Sequence, residues 1–130
     1  MENAMSTCPF CTMAPDKIIS QNAHTFTVRD TLPVSPGHTL IVPKRHIAGI
    51  FEGEPDEVAA LWDALQQART RLLREFSPDG FNIGINDGLA AGQTILHLHI
   101  HIIPRYKGDM PDPRGGIRWI FPEKAVYWKD

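Results

Sequence analysis

The sequence predicts an α+β domain in which helix covers an antiparallel β-sheet. Short segments rich in β-forming residues recur along the chain and alternate at the strand period of two. One long amphipathic helix follows the second of these segments, whereas a doubly wound parallel sheet requires a helix after almost every strand. The 130 residues are sufficient for one hydrophobic core and therefore predict a single domain over 1–130.

The first two strands are predicted at Thr25–Arg29 and Thr39–Val42. The first alternates and is rich in β-formers. The second stops at Pro43, which has no amide hydrogen for a strand ladder. The segment 30–37 between them contains two prolines and a glycine and predicts a turn.

A helix is predicted from about Pro55 to Arg74. Proline and acidic residues suit the first turn of a helix, and apolar residues recur at helical spacing after it. These residues are Val58, Leu61, Trp62, Leu65, Ala68, Leu72 and Leu73. The break at 77–80 is followed by a predicted strand from Phe81 to Ile85.

The run from Ile95 to Ile103 is predicted to be a strand that carries three histidines. His97, His99 and His101 share one face by alternation, and Leu96, Leu98, Ile100 and Ile102 face the core. Imidazole changes its protonation near neutral pH, so three on one face indicate chemistry. The outer two Cα atoms would lie about 13 Å apart, which disfavours one metal held by all three. A division of labour along a substrate or metal is favoured instead.

The ends of the chain are predicted to be less regular. Residues 1–7 are expected to be a flexible lead-in, and 106–130 a C-terminal extension. Within the extension, 117–121 predicts a short strand and 122–128 predicts one or two turns of helix. Its aromatic residues are expected to pack on their own domain or at a dimer interface.

Composition excludes several classes of protein. The formal net charge of −2 provides no basic footprint for nucleic acid. No apolar stretch is long enough to span a bilayer, and no signal-peptide pattern is present. Two cysteines in a C-x-x-C spacing, without a secretory segment, predict a cytoplasmic protein.

The motif at 97–103, preceded by Gly92-Gln93-Thr94, resembles the signature of the histidine triad (HIT) nucleotide hydrolases and transferases. Three further segments are similar to the family in the expected order. They are 36–46, which resembles the segment crossing the sheet, 86–88, which resembles the substrate-facing turn, and 8–11, which resembles the zinc-bearing N-terminus. The resemblance covers about residues 7–105. It implies a HIT-like antiparallel β-meander of about five strands with one long helix and a shorter helical segment, and a homodimer.

The resemblance also implies a reaction at the α-phosphate of a nucleotide. His99 would attack the phosphorus and form a nucleotidyl-histidine, which water would cleave to release a nucleoside monophosphate. His101 would hydrogen-bond the phosphate or the bridging atom and help the leaving group depart. Gln93 and Thr94 would donate to phosphate or leaving-group atoms. A nucleoside phosphoramidate and a dinucleoside polyphosphate are both compatible substrates.

By the same resemblance, five residues would bind the purine nucleotide. Asp30 would hold the ribose hydroxyls, and Asn86 would contribute from a strand end. Phe10, Met13 and Val28 would form an apolar base pocket without strong base selection. The residues alone leave other readings open, because Asp30 and Asn86 also suit ordinary turns and the apolar three also suit a core.

Cys8 and Cys11 form half of a zinc site. Their spacing alone is equally compatible with a redox pair or with two buried thiols, since a structural zinc needs two more nitrogen or sulfur ligands. The resemblance supplies His46 and His97 as those ligands, with no organic cofactor. His97 would then take no part in the chemistry.

Two other classes of function stay open at this point. A zinc hydrolase would activate water on a metal held by the histidines, and its turnover would be chelator-sensitive. A nucleotide-binding module would keep the pocket, with only incidental catalysis. Nucleotidyl transfer differs from both because it predicts that loss of His99 eliminates turnover while the nucleotide still binds.

Overall fold

The computed structural model describes residues 7–129. It contains one five-stranded sheet, formed by β1 (Ile18–Gln21), β2 (Thr25–Arg29), β3 (Thr39–Pro43), β4 (Gly80–Ile85) and β5 (Ile100–Arg105). The helices are the long α1 (Pro55–Phe76) and the short α2 (Pro122–Ala125). The predicted fold class is confirmed. The predicted flexible lead-in lies outside the described residues, apart from Thr7.

The strands lie in the order β1-β2-β3-β5-β4, and every neighbouring pair is antiparallel. A simple meander would place β4 beside β3, but β5 takes that position and β4 becomes an edge strand. The sequence pattern does not predict β1, because its four residues are too few to establish an alternation. β1 joins the sheet through an irregular register with β2.

Helix α1 covers one face of the sheet. It begins at Pro55 behind a capping box between Glu54 and Glu57, and it ends before Ser77, whose left-handed φ of 51° terminates it. Its apolar face packs on alternate residues of β3 and β5. The resulting core contains Ile41, Leu61, Leu65, Ala68, Leu72, Leu98, Ile100 and Ile102.

The N-terminal segment covers the opposite face of the sheet. Cys8 and Phe10 join a second apolar cluster with Phe26, Val28, Leu40 and Val42. His101 lies on this face, because it is in register with Leu40 and directly opposite residues point to the same side. His101 is therefore held on the side of the sheet away from α1.

Strand β5 begins later than predicted. The expected strand started at Ile95, but the ladder starts at Ile100, so His97 and His99 precede it. The Leu98 amide donates to the Ile47 carbonyl at 2.7 Å, and this part of the chain follows the loop after β3 instead of the ladder. The prediction that Leu96 faces the core is wrong, since the residue is 50% exposed.

The C-terminal extension folds on itself. The prediction of a strand at 117–121 is wrong, because Gly116–Ile120 forms a 3-10 helix that begins at the second of two glycines with positive φ. Helix α2 confirms the predicted short helical turn. The guanidinium groups of Arg114 and Arg118 stack on Trp128 and Tyr127 at 4.3 and 4.8 Å from the ring centres. Among residues 7–129, no helix has the length and apolar character needed to cross a membrane.

Candidate active site and metal centre

Four predicted metal ligands converge on one point, which we call the metal knuckle: Cys8, Cys11, His46 and His97. Their ligand atoms all lie within 4.8 Å of one another. The His97 Nδ1 lies 3.4 and 3.5 Å from the sulfurs of Cys8 and Cys11, and the His46 Nδ1 lies 3.1 Å from both the Cys11 sulfur and the His97 Nδ1. Ligands bound to zinc at about 2.0–2.3 Å in a tetrahedron lie about 3.3–3.8 Å apart. The donor set therefore fits a zinc ion closely.

The tautomer of His97 suits metal binding. Its Nε2 lies 2.8 Å from the Pro43 carbonyl oxygen, which can only accept, so Nε2 carries the hydrogen and Nδ1 keeps its lone pair. Burial lowers the pKa of His97 below its ordinary 6.5 and favours this neutral form. Three groups of the knuckle face the single lone pair of this Nδ1. One bound cation would satisfy all of them together.

An ion pair anchors the loop that carries His46. The Arg45 guanidinium donates to both carboxylate oxygens of Glu57, at 2.8 and 3.1 Å. The Glu54 amide donates to the same carboxylate at 2.8 Å. These contacts lower the pKa of Glu57 to about 2, and the hydrogen bond from Arg45 has the largest effect. The start of α1 is thereby tied to the residue next to a knuckle ligand.

His99 has its hydrogen placed by the main chain. Its Nδ1 lies 2.9 Å from the His97 carbonyl oxygen, so Nδ1 donates and Nε2 is left with a free lone pair. The ring is only partly buried. A neutral imidazole with an available lone pair is a competent nucleophile at neutral pH.

His101 is held in the opposite tautomer by His38. The Val34 amide donates to the His38 Nδ1 at 3.2 Å, so neutral His38 carries its hydrogen on Nε2. This Nε2 lies 2.9 Å from the His101 Nδ1, which must accept. The hydrogen of His101 is therefore on Nε2. Burial lowers the pKa of both imidazoles below 6.5 and keeps them neutral. We call this pair the histidine relay.

Asp30 lies beside the histidine relay, but it is not the nearest partner of His38. Its Oδ2 is 3.5 Å from the His38 Nε2, farther than His101, and its Oδ1 accepts from the Leu32 amide at 2.9 Å. The three side chains together could offer metal ligands. However, the rings of His38 and His101 have their centres 5.2 Å apart, as a nearly collinear N···N contact requires. An N–H aimed along the lone pair of the other nitrogen makes a hydrogen bond, and this geometry does not chelate an ion.

The predicted phosphate donors lie in different settings. Gln93 is 3% exposed, and its amide nitrogen donates to the carbonyls of Ala48 and Ile95 at 2.8 and 3.2 Å. Its Oε1 accepts from the Gly88 amide at 2.9 Å, which ties it to the turn that begins at Asn86. Asn86 and Thr94 are exposed and have side chains accessible to a ligand.

The three predicted base-pocket residues lie together. Phe10 and Val28 belong to the second apolar cluster, and Met13 packs against it. The Phe10 ring centre is 5.1 Å from that of His99. An apolar surface therefore adjoins the predicted nucleophile on one side, and the relay adjoins it on the other.

His38 is the residue that sequence reasoning missed. It lies in the segment 36–46, but its chemistry is not visible there, since a single histidine before a strand is ordinary. One signal was available, because His38 immediately precedes the predicted strand Thr39–Val42 and His101 lies on the predicted strand from Ile95 to Ile103. Only the register of β3 and β5 brings His38 within hydrogen-bond distance of His101.

The protein-family model described as the HIT domain matches residues 12–108 of the chain. The chain belongs to the histidine triad (HIT) family. The observed five-stranded sheet with its long helix matches solved HIT-family structures from Bacillus anthracis and Bacillus subtilis, each 33% identical, with TM-scores of 0.73 and 0.72 and coverage of 78% of this chain and 75% of each of those chains.

Relatives in the HIT family connect this fold with nucleotide chemistry. Adenylylsulfatase HINT3 of Arabidopsis thaliana is 37% identical over 106 residues, which are 78% of this chain and 54% of the relative. The asymmetrical bis(5'-nucleosyl)-tetraphosphatase of Schizosaccharomyces pombe is 39% identical over 80 residues, which are 62% of this chain and 44% of the relative. Nucleotide hydrolases are thus among the relatives.

A solved HIT structure bears on the knuckle. The zinc-bound histidine triad family protein of Mycobacterium smegmatis is 36% identical, with a TM-score of 0.70, and the alignment covers 83% of this chain and 81% of that one. Zinc is therefore present in a similar protein, and four side chains of the types that bind zinc meet at one point in this chain.

Proposed function

We propose that the protein is a nucleotidyl hydrolase or transferase that acts at the α-phosphate of a purine nucleotide through a covalent nucleotidyl-His99 intermediate. The opposite placement of hydrogen on two neighbouring imidazoles carries this proposal. His99 keeps a lone pair on Nε2 because its Nδ1 is engaged by the main chain. His101 keeps a hydrogen on Nε2 because its Nδ1 accepts from His38. The two ring centres are 5.2 Å apart, so a nucleophile stands beside a donor.

In the first step, the His99 Nε2 attacks the α-phosphorus. A P–N bond forms, and the bond from phosphorus to the leaving group breaks with its electron pair on the leaving atom. His101 donates a hydrogen bond from Nε2 to that atom or to a phosphate oxygen. Water then attacks the phosphorus, one of its protons passes to solvent, the P–N pair returns to His99, and the nucleoside monophosphate is released.

The leaving group is the part of the substrate that this arrangement constrains least. A phosphate or sulfate departs as an anion and needs only a hydrogen bond from His101. An amine must also gain a proton, which is taken up from solvent and is balanced by the proton that water releases in the second step. We therefore keep dinucleoside polyphosphates and nucleoside phosphoramidates as the two substrate classes.

Substrate contacts follow from the positions around His99. We assign the purine to Phe10, Met13 and Val28, and the ribose hydroxyls to Asp30, whose carboxylate still borders solvent. Asn86 and Thr94 are accessible for phosphate or leaving-group atoms. Gln93 would have to release a main-chain carbonyl before it could donate to phosphate, so we assign it first to holding the turn at Asn86.

A zinc hydrolase is less well supported. A catalytic zinc keeps a position open for water, whereas the knuckle brings four protein donors together, enough to fill a tetrahedron. We propose that zinc bound by Cys8, Cys11, His46 and His97 is structural. Bound zinc would cross-link the N-terminal segment to the loops around the three histidines.

Direct detection of the intermediate tests the proposal. Diadenosine tetraphosphate and adenosine phosphoramidate are mixed with enzyme and quenched within milliseconds in alkaline denaturant, because P–N bonds to histidine hydrolyse in acid. Peptide mass spectrometry should find an adenylyl group on His99. His99→Asn should abolish the adduct and lower turnover by at least about 10⁴-fold, while AMP still binds.

The control is His24→Asn, which changes a histidine on the loop between β1 and β2. It should leave both the adduct and turnover as in the wild type. Turnover of either substrate that persists in His99→Asn would eliminate the covalent mechanism. AMP binding without turnover of any substrate would leave the binding module as the function.

We also propose that the protein forms a homodimer. Trp62 and Val58 on α1 are 62% and 38% exposed, and Ile83 on the edge strand β4 is 45% exposed, so exposed apolar side chains lie both on α1 and on a strand with an unpaired edge. Sedimentation equilibrium should give twice the chain mass, and Trp62→Lys should lower it. A cytoplasmic location, without nucleic-acid or membrane partners, stays a prediction.

A further inference from the structure

We propose that Phe10 is a positioning residue through which the metal knuckle sets the orientation of the His99 ring and the affinity for a nucleotide. Phe10 lies between the two knuckle cysteines and is 6% exposed. The nucleotide part of this inference rests on the proposed function. The part that concerns His99 stands on the geometry alone.

Phe10 connects two groups of rings. Its ring centre lies 5.5 Å from that of His97, in an edge arrangement, and 5.1 Å from that of His99. His97 is itself 4.9 Å from His46, and His99 is 5.2 Å from His101. A row of aromatic rings therefore leads from a metal ligand, through Phe10, to the predicted nucleophile.

The turn that carries Phe10 contains both knuckle cysteines. The Thr12 amide and hydroxyl both donate to the Cys8 carbonyl, at 3.1 and 2.8 Å, and close one turn around residues 8–12. Beyond this turn, the contacts of both sulfurs to histidine nitrogens are of the weak thiol type. A bound zinc would replace them with two strong bonds, one on each side of Phe10.

The surroundings of Phe10 make its position matter to a nucleotide. The residue packs in the apolar cluster with Val28, and Met13 adjoins it. A shift of Phe10 would therefore move the predicted base pocket and one wall of His99 together. Contacts of this kind contribute about two- to tenfold to affinity.

The knuckle could also affect His99 through the main chain, and this effect must be distinguished from the effect through the Phe10 ring. The His97 carbonyl accepts from the His99 Nδ1 at 2.9 Å, so metal bound at His97 could act through the main chain. Replacement of Phe10 by leucine keeps the apolar volume and all four ligands but removes the ring. Only the route through Phe10 is lost in that variant.

The experiment uses the full chain in zinc-loaded, chelated and reloaded forms. NMR records the carbon-bound ring protons of His99, which respond to the ring current of Phe10, and calorimetry measures AMP affinity. In the wild type, chelation should shift the His99 signals and weaken AMP binding about two- to tenfold, and reloading should reverse both. In Phe10→Leu, both effects of chelation should largely disappear.

The control variant is Phe121→Leu in the C-terminal extension, where Phe121 is 67% exposed; it should behave as the wild type. Unchanged His99 signals on chelation, or equal changes in wild type and Phe10→Leu, would overturn the proposal. If chelation unfolds the chain, zinc-loaded Phe10→Leu decides, since the three-bond couplings that report the χ1 angle of His99, which a lost ring current leaves unchanged, must differ from the wild type. If no form binds AMP, the proposed function fails, while the His99 signals still test the role of Phe10.

Discussion

The metal knuckle and the histidine relay lie at the two ends of the histidine run, and each contains two imidazoles. In the knuckle, nitrogen and sulfur atoms surround one point, and three groups face the single lone pair of the His97 Nδ1. In the relay, each lone pair meets one hydrogen, from the Val34 amide to His38 and from His38 to His101. One arrangement suits a cation, and the other suits a hydrogen held at a chosen atom.

This difference shows that the partners of the ring nitrogens, and not the residue type alone, determine the chemical role of a histidine. His97 and His101 come from the same run, and burial lowers the pKa of both. The Pro43 carbonyl places the hydrogen of His97 on Nε2 and leaves Nδ1 as a ligand. His38 leaves His101 with its hydrogen on Nε2 as well, but its Nδ1 faces a donor instead of sulfur. The partner of Nδ1 separates the proposed metal ligand from the proposed hydrogen-bond donor to substrate.

The largest expected effect follows from removing the knuckle. Protein purified without chelator should contain about one zinc per chain, and Cys8→Ala should contain none. The free energy of unfolding should fall by about 4 kcal/mol at a free zinc concentration a thousandfold above the dissociation constant. Atomic spectroscopy measures the zinc content, and urea unfolding measures the free energy of unfolding. Asp30→Asn, beside the relay, should keep its zinc; a zinc-free wild type would contradict the knuckle as a metal site.

Disruption of the relay should act on turnover and spare the metal. His38→Leu removes the hydrogen that holds the His101 Nδ1 as an acceptor, so His101 can take its other tautomer. We expect kcat to fall about 10- to 100-fold with zinc content unchanged. His38→Gln retains an N–H donor and should recover part of the rate. Steady-state kinetics measures this, and equal rates for the wild type and His38→Leu would remove the relay from the mechanism.

A smaller effect is expected in the pH dependence of stability. Burial lowers the pKa of His38 and His101 below 6.5 in the folded chain, so the unfolded chain binds protons first as pH falls. Stability from these groups is complete above about pH 6.5 and declines below it, until the folded pKa values are passed. Each proton changes the slope of the free energy of unfolding against pH by up to about 1.4 kcal/mol per pH unit.

Urea unfolding between pH 7.5 and pH 5.5 measures this slope. Cys8→Ala is the reference, because zinc release would otherwise add its own pH dependence. Adding His38→Leu to that reference should make the slope shallower, since one titrating group is gone. An identical slope in the single and double variants would mean that His38 titrates normally in the folded chain.

The elements with a strong local period were predictable. The long helix was placed to within two residues of its observed end, and β2 coincides with its prediction, because an apolar pattern of sufficient length specifies one element. The strand expected to start at Ile95 shows the limit of this reasoning. Alternation identified the shared face of the histidines, but the Leu98 amide found a partner in a distant loop, and the ladder began five residues later.

The sequence by itself determined which chemical groups are available: three alternating imidazoles, a C-x-x-C pair and an apolar helix face. These depend on residue type and on short spacings, which the chain carries locally. Only the tertiary structure decided which nitrogen of each imidazole holds the hydrogen. That choice belongs to partners far along the chain, such as Pro43 for His97 and His38 for His101, which are 54 and 63 residues apart and meet only when β3 and β5 pair.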